Sequence, residues 1–112
     1  MQEILDRLNQ VAGIKGSMVV TEDGYVVTDA LGPDLEKETV AAVSSHMVKS
    51  SERMLDSLDR GKFSRFTLTS TYGRMIFVTL GAGYLVVITK MDIKLGDILI
   101  EIESSARRIE RT

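Results

Sequence analysis

The chain has 112 residues, with 14 basic and 16 acidic side chains, a net charge of −2 and no cysteine. That length suits one domain and not two, and the missing thiols exclude a disulfide framework, thiolate metal sites and cysteine catalysis. The basic residues are dispersed, which argues against a nucleic-acid footprint, and no apolar run reaches the roughly 18 residues that a membrane helix needs.

The N-terminal stretch MQEILDRLNQ is acidic and amphipathic, unlike a signal peptide, so the expected location is the cytoplasm. Ile4, Leu8 and Val11 share one face, with Leu5 and Ala12 beside them, which predicts a helix over 2–12 that stops at Gly13. Met18–Thr21 and Tyr25–Thr28 are rich in β-branched and aromatic residues and flank Asp23-Gly24, a strong hairpin signal. Leu31-Gly32-Pro33 breaks the pattern. Asp34 then reads as the N-cap of a long helix that runs to about Asp59 and ends at Arg60-Gly61. Three strands follow, Phe66–Ser70, Arg74–Leu80 and Tyr84–Thr89, turned at Tyr72-Gly73 and at Gly81–Gly83. Asp92 reads as the cap of a last helix striped by Leu95, Ile98, Leu99, Ile102, Ala106 and Ile109, and the terminal RRIERT is expected to fray.

The order α-β-β-α-β-β-β-α with tight turns predicts an α+β fold around a five-stranded antiparallel sheet. Met75–Leu80 and Leu85–Ile88 are apolar on both sides of the pleat, so helices must cover both faces. The glycine-rich GAGYLV between them invites comparison with a phosphate loop. It lacks the Lys-Ser/Thr pair, and a strand rather than a helix follows it, so it reads as a turn.

Catalytic constellations are absent. His46, the only histidine, stands mid-helix without a second metal ligand, and Ser44 and Ser45 beside it point elsewhere. Asp92 and Asp97 read as a cap and a solvated face. No cofactor is expected. Arg60, Arg65 and Arg74 cluster with Lys62 around the third and fourth strands; they read as edge charges that resist aggregation, or more weakly as a patch for an acidic partner. The long helix carries two stripes. Val40, Val43, Met47, Met54 and Leu58 are expected to pack on the sheet. Ala41, Ser44, Ser45, Val48, Glu52 and Leu55 are expected to be left wet in a lone chain, and so to form a seam with a second copy. Phe66 and Leu68 on the following strand would join that seam if the strand is a free edge.

In order and spacing, GIKGSMVVTEDGYVV, the long helix after LGPDLE, TYGRMIFVTLGAGYLVVITK and the closing helix resemble the roadblock family, also called the dynein light chain roadblock type. The resemblance spans nearly all of residues 1–112, which implies a single roadblock-like domain. It implies strand order 2-1-5-4-3 in a three-layer sandwich, with the first and last helices on one face and the long helix on the other. It also implies a homodimer through the long helix and third strand, and a non-catalytic platform that binds a small Ras-like GTPase and in some relatives stimulates its hydrolysis. Two other readings stand beside it: a subunit of a larger scaffold or motor-type complex, and a small-molecule sensor, which would need a cavity with convergent polar groups.

Overall fold

A computed structural model describes all 112 residues. Its elements are α1 (Gln2–Leu8), β1 (Ile14–Thr21), β2 (Val26–Ala30), α2 (Lys37–Ser57), β3 (Arg65–Thr69), β4 (Gly73–Thr79), β5 (Gly83–Lys90) and α3 (Leu95–Glu110). The strands form one sheet in the order β2-β1-β5-β4-β3, and every neighbouring pair is antiparallel. Type and order of all eight elements match the sequence reading.

Alternation along the strands sorts the core into two layers. Val19, Ile76, Val78, Leu85 and Val87 point to one face, where Leu5 and Leu8 of α1 and Ile98, Ile102, Ala106 and Ile109 of α3 cover them. Met18, Val20, Phe77, Tyr84 and Val86 point to the other, where Val40, Ala41 and Val48 of α2 lie over them with Phe63. The two-sided apolar strands are thus sandwiched as their composition demands. Ile109 is buried, so the last turn of α3 is docked and the expected fraying is confined to the final residues.

Local chemistry explains where the elements end. Thr21 and Tyr25 close the β1–β2 hairpin, and the Gly24 amide donates to the Thr21 carbonyl at 3.0 Å. Gly24 sits at φ 91°, the left-handed position that a three-residue hairpin loop with a bulge requires. The end of α2 comes earlier than Arg60-Gly61. Asp59 takes a positive φ of 51°, its amide donates to Asp56 and the Arg60 amide donates to Leu55 at 2.9 Å, the paired bonds of a Schellman stop. The expected caps Asp34 and Asp92 are not used; Glu36 and Lys94 stand at the two helix starts without a side-chain capping bond. At the other end, α1 stops four residues short of expectation because Asn9 turns its amide inward. Its Nδ2 donates to the Ala30 carbonyl at 2.7 Å and its Oδ1 accepts from the buried Ser17 hydroxyl at 2.8 Å, tying α1 to both strands of the hairpin. The Gly81–Gly83 segment is a hairpin turn, with the Leu80 amide donating to the Gly83 carbonyl at 2.8 Å. A side chain at Gly83 would collide with the Val20 carbonyl, which accounts for the second glycine.

Under α2, Tyr84 is buried, meets Phe63 edge-on at 6.4 Å and lies 3.5 Å from a Glu52 carboxylate oxygen. Burial, followed by the negative charge of Glu52 and Glu22, pushes the phenol up from 10.0 to about 12. The Ser44 hydroxyl, wholly buried on the same helix face, has no hydrogen-bond partner.

These features give three expected outcomes. Gly24→Val should destabilise the fold by about 2 kcal/mol or more in denaturant titration, because a β-branched residue is strained at that φ and its Cβ would press on Ser45. Ser44→Ala should raise stability by about 1 kcal/mol, since it removes an unpaired buried hydroxyl. A phenol whose pKa is raised by folding contributes stability that is complete below pH 10 and lost towards pH 12. Alkaline unfolding curves should therefore show a fall across that window in the parent that Tyr84→Phe abolishes.

Candidate functional site

An exposed apolar surface lies on the α2 side. α2 packs on β1 and β2 and over Tyr84, Val86 and Phe77 of β5 and β4, but leaves Leu68, Met75 and Ile88 of β3, β4 and β5 only partly covered. A groove of about 580 Å³ results, floored by Leu68, Met75 and Ile88 and walled by Leu35, Val40 and Val43. Beyond its wall an apolar ridge runs along α2: Val43 is 49% exposed, Met54 64% and Leu58 62%, with Met47 half-buried among them.

The two stripes of α2 are buried in the opposite sense to the one the sequence predicts. Ala41, Ser44, Ser45 and Val48 are buried against the chain's own sheet, and Leu55 is half-buried beside them. Only Val40 of the other stripe is buried. The physical reason is close approach. The β1–β2 turn rides on α2, with the Ser45 hydroxyl donating to the Glu22 carbonyl at 2.8 Å, and only small side chains leave room for that contact. The larger Val43, Met47, Met54 and Leu58 stand about 110° away round the helix. Ala41, Ser44, Ser45 and Val48 are thus not free to meet a second copy, and Glu52, though exposed, is committed to Tyr84.

The strand residues fare differently. Phe66 stacks on Phe77 at 5.8 Å and is half-buried, while Leu68 is exposed at the groove floor. β3 is an outer strand, and no side chain bonds to its outward backbone groups. On the opposite outer strand, the Asp29 carbonyl accepts from Gln2 of α1 at 3.2 Å, while the Ala30 carbonyl, beside Gly16 of β1, accepts from Asn9 after α1 at 2.7 Å. β2 is thus tied to α1, and β3 has no such tie.

The three arginines do not form a patch. Arg65 pairs with Glu103 of α3 at 2.6 Å. Arg74 donates to the Met91 and Ile93 carbonyls at 3.0 and 3.3 Å, pinning the β5–α3 loop. Arg60 alone is exposed without an ion pair. The first two therefore anchor α3 rather than face a partner, a role hidden in sequence because Glu103 lies 38 residues from Arg65.

Three of the groove's hydroxyls are engaged: Thr39 donates to Glu36, Ser70 to the Gly73 carbonyl and Thr89 to the Lys90 carbonyl. Lys15, Asp34 and Tyr72 also line it, with the Lys15 ammonium 5.2 Å from the centre of the Tyr72 ring. His46 is exposed, no cluster of three or more His, Asp or Glu could hold a metal ion, and no helix is long and apolar enough to cross a membrane.

The Roadblock/LC7 domain family matches residues 1–89, from α1 through nearly all of β5. A protein of Methanocaldococcus jannaschii is similar over 110 residues at 33% identity, covering 98% of this chain and 96% of that protein, so the likeness extends through α3. Among solved structures, Myxococcus xanthus MglB superposes with a TM-score of 0.91 at 17% identity, over 97% of this chain and 90% of that one. A Roadblock/LC7 domain from Streptomyces avermitilis gives a TM-score of 0.91 at 16% identity, over 99% and 95% of the two chains. With sheet order and both helical layers as described, the chain belongs to the Roadblock/LC7 domain family.

Proposed function

We propose that this chain is a homodimeric regulatory module that binds a small Ras-like GTPase and contributes no catalytic group of its own. The carrying observation is the coincidence of a free apolar ridge on α2 and an uncapped sheet edge at β3 on one side of the molecule. A two-fold axis at that edge pairs β3 with its copy and lays each α2 beside the other chain's groove. Both exposed features are then covered at once by self-complementary surfaces. The seam consists of Val43, Met47, Met54 and Leu58 with Phe66 and Leu68. Burying the three exposed aliphatic side chains of the ridge is worth about 1 to 2 kcal/mol each.

Family membership supports the GTPase as partner, since the roadblock resemblance implies a platform for Ras-like GTPases. The absence of any nucleophile, base and orienting group in mutual reach supports a non-catalytic role. Stimulation of hydrolysis, where it occurs, would then act by reshaping the GTPase's own catalytic groups. Arg60 and Lys62, both exposed and without an ion pair, are the cations from the predicted patch free to reach it.

Two measurements check this reading. Met54→Asp should convert the protein from a dimer to a 12.4 kDa monomer in sedimentation without lowering its helical signal, because the substitution places an unpaired charge at the seam and nothing in the folded protomer. Tyr25→Asp, in the β1–β2 turn at the other end of the strand order from β3, should leave the dimer intact; an unchanged Met54→Asp dimer would contradict the seam. The Ras-like GTPases of the same genome should then be tested in GDP and GTP-analogue states for co-elution and hydrolysis rate. Failure of every one to bind would contradict the partner assignment.

A further inference from the structure

Without cysteine, methionine is the side chain through which this protein can respond to mild oxidants. The six methionines sit in distinct surroundings. Met18 is wholly buried, and Met47 and Met75 are half-buried. Met1 and Met91 are exposed, at the N-terminus and after β5, away from the ridge. Met54 is the most exposed of all and stands in the middle of the α2 ridge, between Met47 and Leu58.

We propose that Met54 is an oxidation site that controls self-association, its thioether reacting with a hydroperoxide while the protomer is free. This rests on the seam proposed above. The sulfur attacks the distal peroxide oxygen; the O–O bond breaks as the S–O bond forms. Sulfur loses two electrons, and the peroxide is reduced to water or to the corresponding alcohol. The product is a sulfoxide, a strong acceptor with no donor of its own, set among Val43, Met47 and Leu58, which offer it no hydrogen. The hydroxyl one turn back, Ser50, accepts from Arg53 at 3.4 Å and keeps its own O–H, one donor for an oxygen that accepts two bonds. Pressed against a second apolar ridge, the sulfoxide oxygen would lose its water with at most that one bond in exchange. Two-fold symmetry doubles the effect, because one dimer contains two such residues. The same seam shields the thioether, so an assembled dimer resists oxidation and a free protomer does not. Low protein concentration and peroxide then act together, holding chains apart until a methionine sulfoxide reductase restores the thioether.

The test treats the parent protein with hydrogen peroxide at concentrations below and above its dimer dissociation constant. Sulfoxide at each methionine is read by peptide mass spectrometry, and association by sedimentation. Met54 oxidation should slow severalfold once the dimer forms, while Met91 oxidation should not change. Oxidised protein should dissociate with a constant at least tenfold larger, and reductase treatment should reverse that rise. Met54→Leu should dimerise like the parent and lose the peroxide response. If Met54 sulfoxide leaves the dissociation constant unchanged, or if Met54→Leu responds as the parent does, the proposal is overturned. If untreated protein never associates, the homodimer reading fails first and takes this one with it.

Discussion

One helix cannot cover a five-stranded sheet. Strands lie about 4.8 Å apart, so five of them span roughly 19 Å between their outer axes, whereas a helix with its side chains is about 10 Å across. On one face α1 and α3 together supply the needed width, and the core beneath them is continuous from Leu5 to Ile109. On the other face α2 is the only helix; it covers Met18, Val20, Tyr84, Val86 and Phe77 but leaves Leu68, Met75 and Ile88 only partly covered. The groove over Leu68, Met75 and Ile88 follows from that shortage of width, and so does the exposure of the ridge beside it. In the dimer proposed above, a second α2 has the dimensions to complete the layer.

The two sheet edges show the same asymmetry. Asn9 and Gln2 tie β2 to the α1 segment through the Ala30 and Asp29 carbonyls, and the buried Ser17 hydroxyl holds Asn9 in place. Those contacts come where α1 ends, so the tie is built at the expense of helix length. β3 receives no such cover. Its charges are not simple edge guards either, since Arg65 is turned onto α3 through Glu103. As a pair about one-third exposed, it contributes at most about 1 kcal/mol. Its greater effect is geometric: together with Arg74 it fixes α3 against the β4–β3 end and leaves the opposite face of that end open.

The sequence made the fold legible because its signals are local. Alternation, the Asp23-Gly24 turn, the two-sided apolar strands and the α3 stripe each depend on neighbours within a few residues. Which face of α2 is buried was not legible. Both of its stripes are apolar enough to face a core, and hydrophobicity ranks the wrong one first. Met54 and Leu58 are greasier than Ala41, Ser44 and Ser45, yet the small residues go inward. What decides is how closely α2 approaches the β1–β2 turn, and that distance is set by Gly24 packing on Ser45, 21 positions away. No periodicity carries that information. Arg65 and Arg74 were opaque for the same reason, because their partners lie in α3 and in the loop before it.

The central claim is that the open half-layer over β3 and the uncapped β3 edge are filled together by a second copy. Amide hydrogen exchange measured residue by residue across a dilution series tests it most directly. The account predicts that β3 amides not bonded to β4 are protected at high concentration and exchange freely on dilution, while the β2 amides keep one rate throughout. Equal rates for β3 at every concentration, in a protein that sediments as a dimer, would place the contact elsewhere and contradict the account.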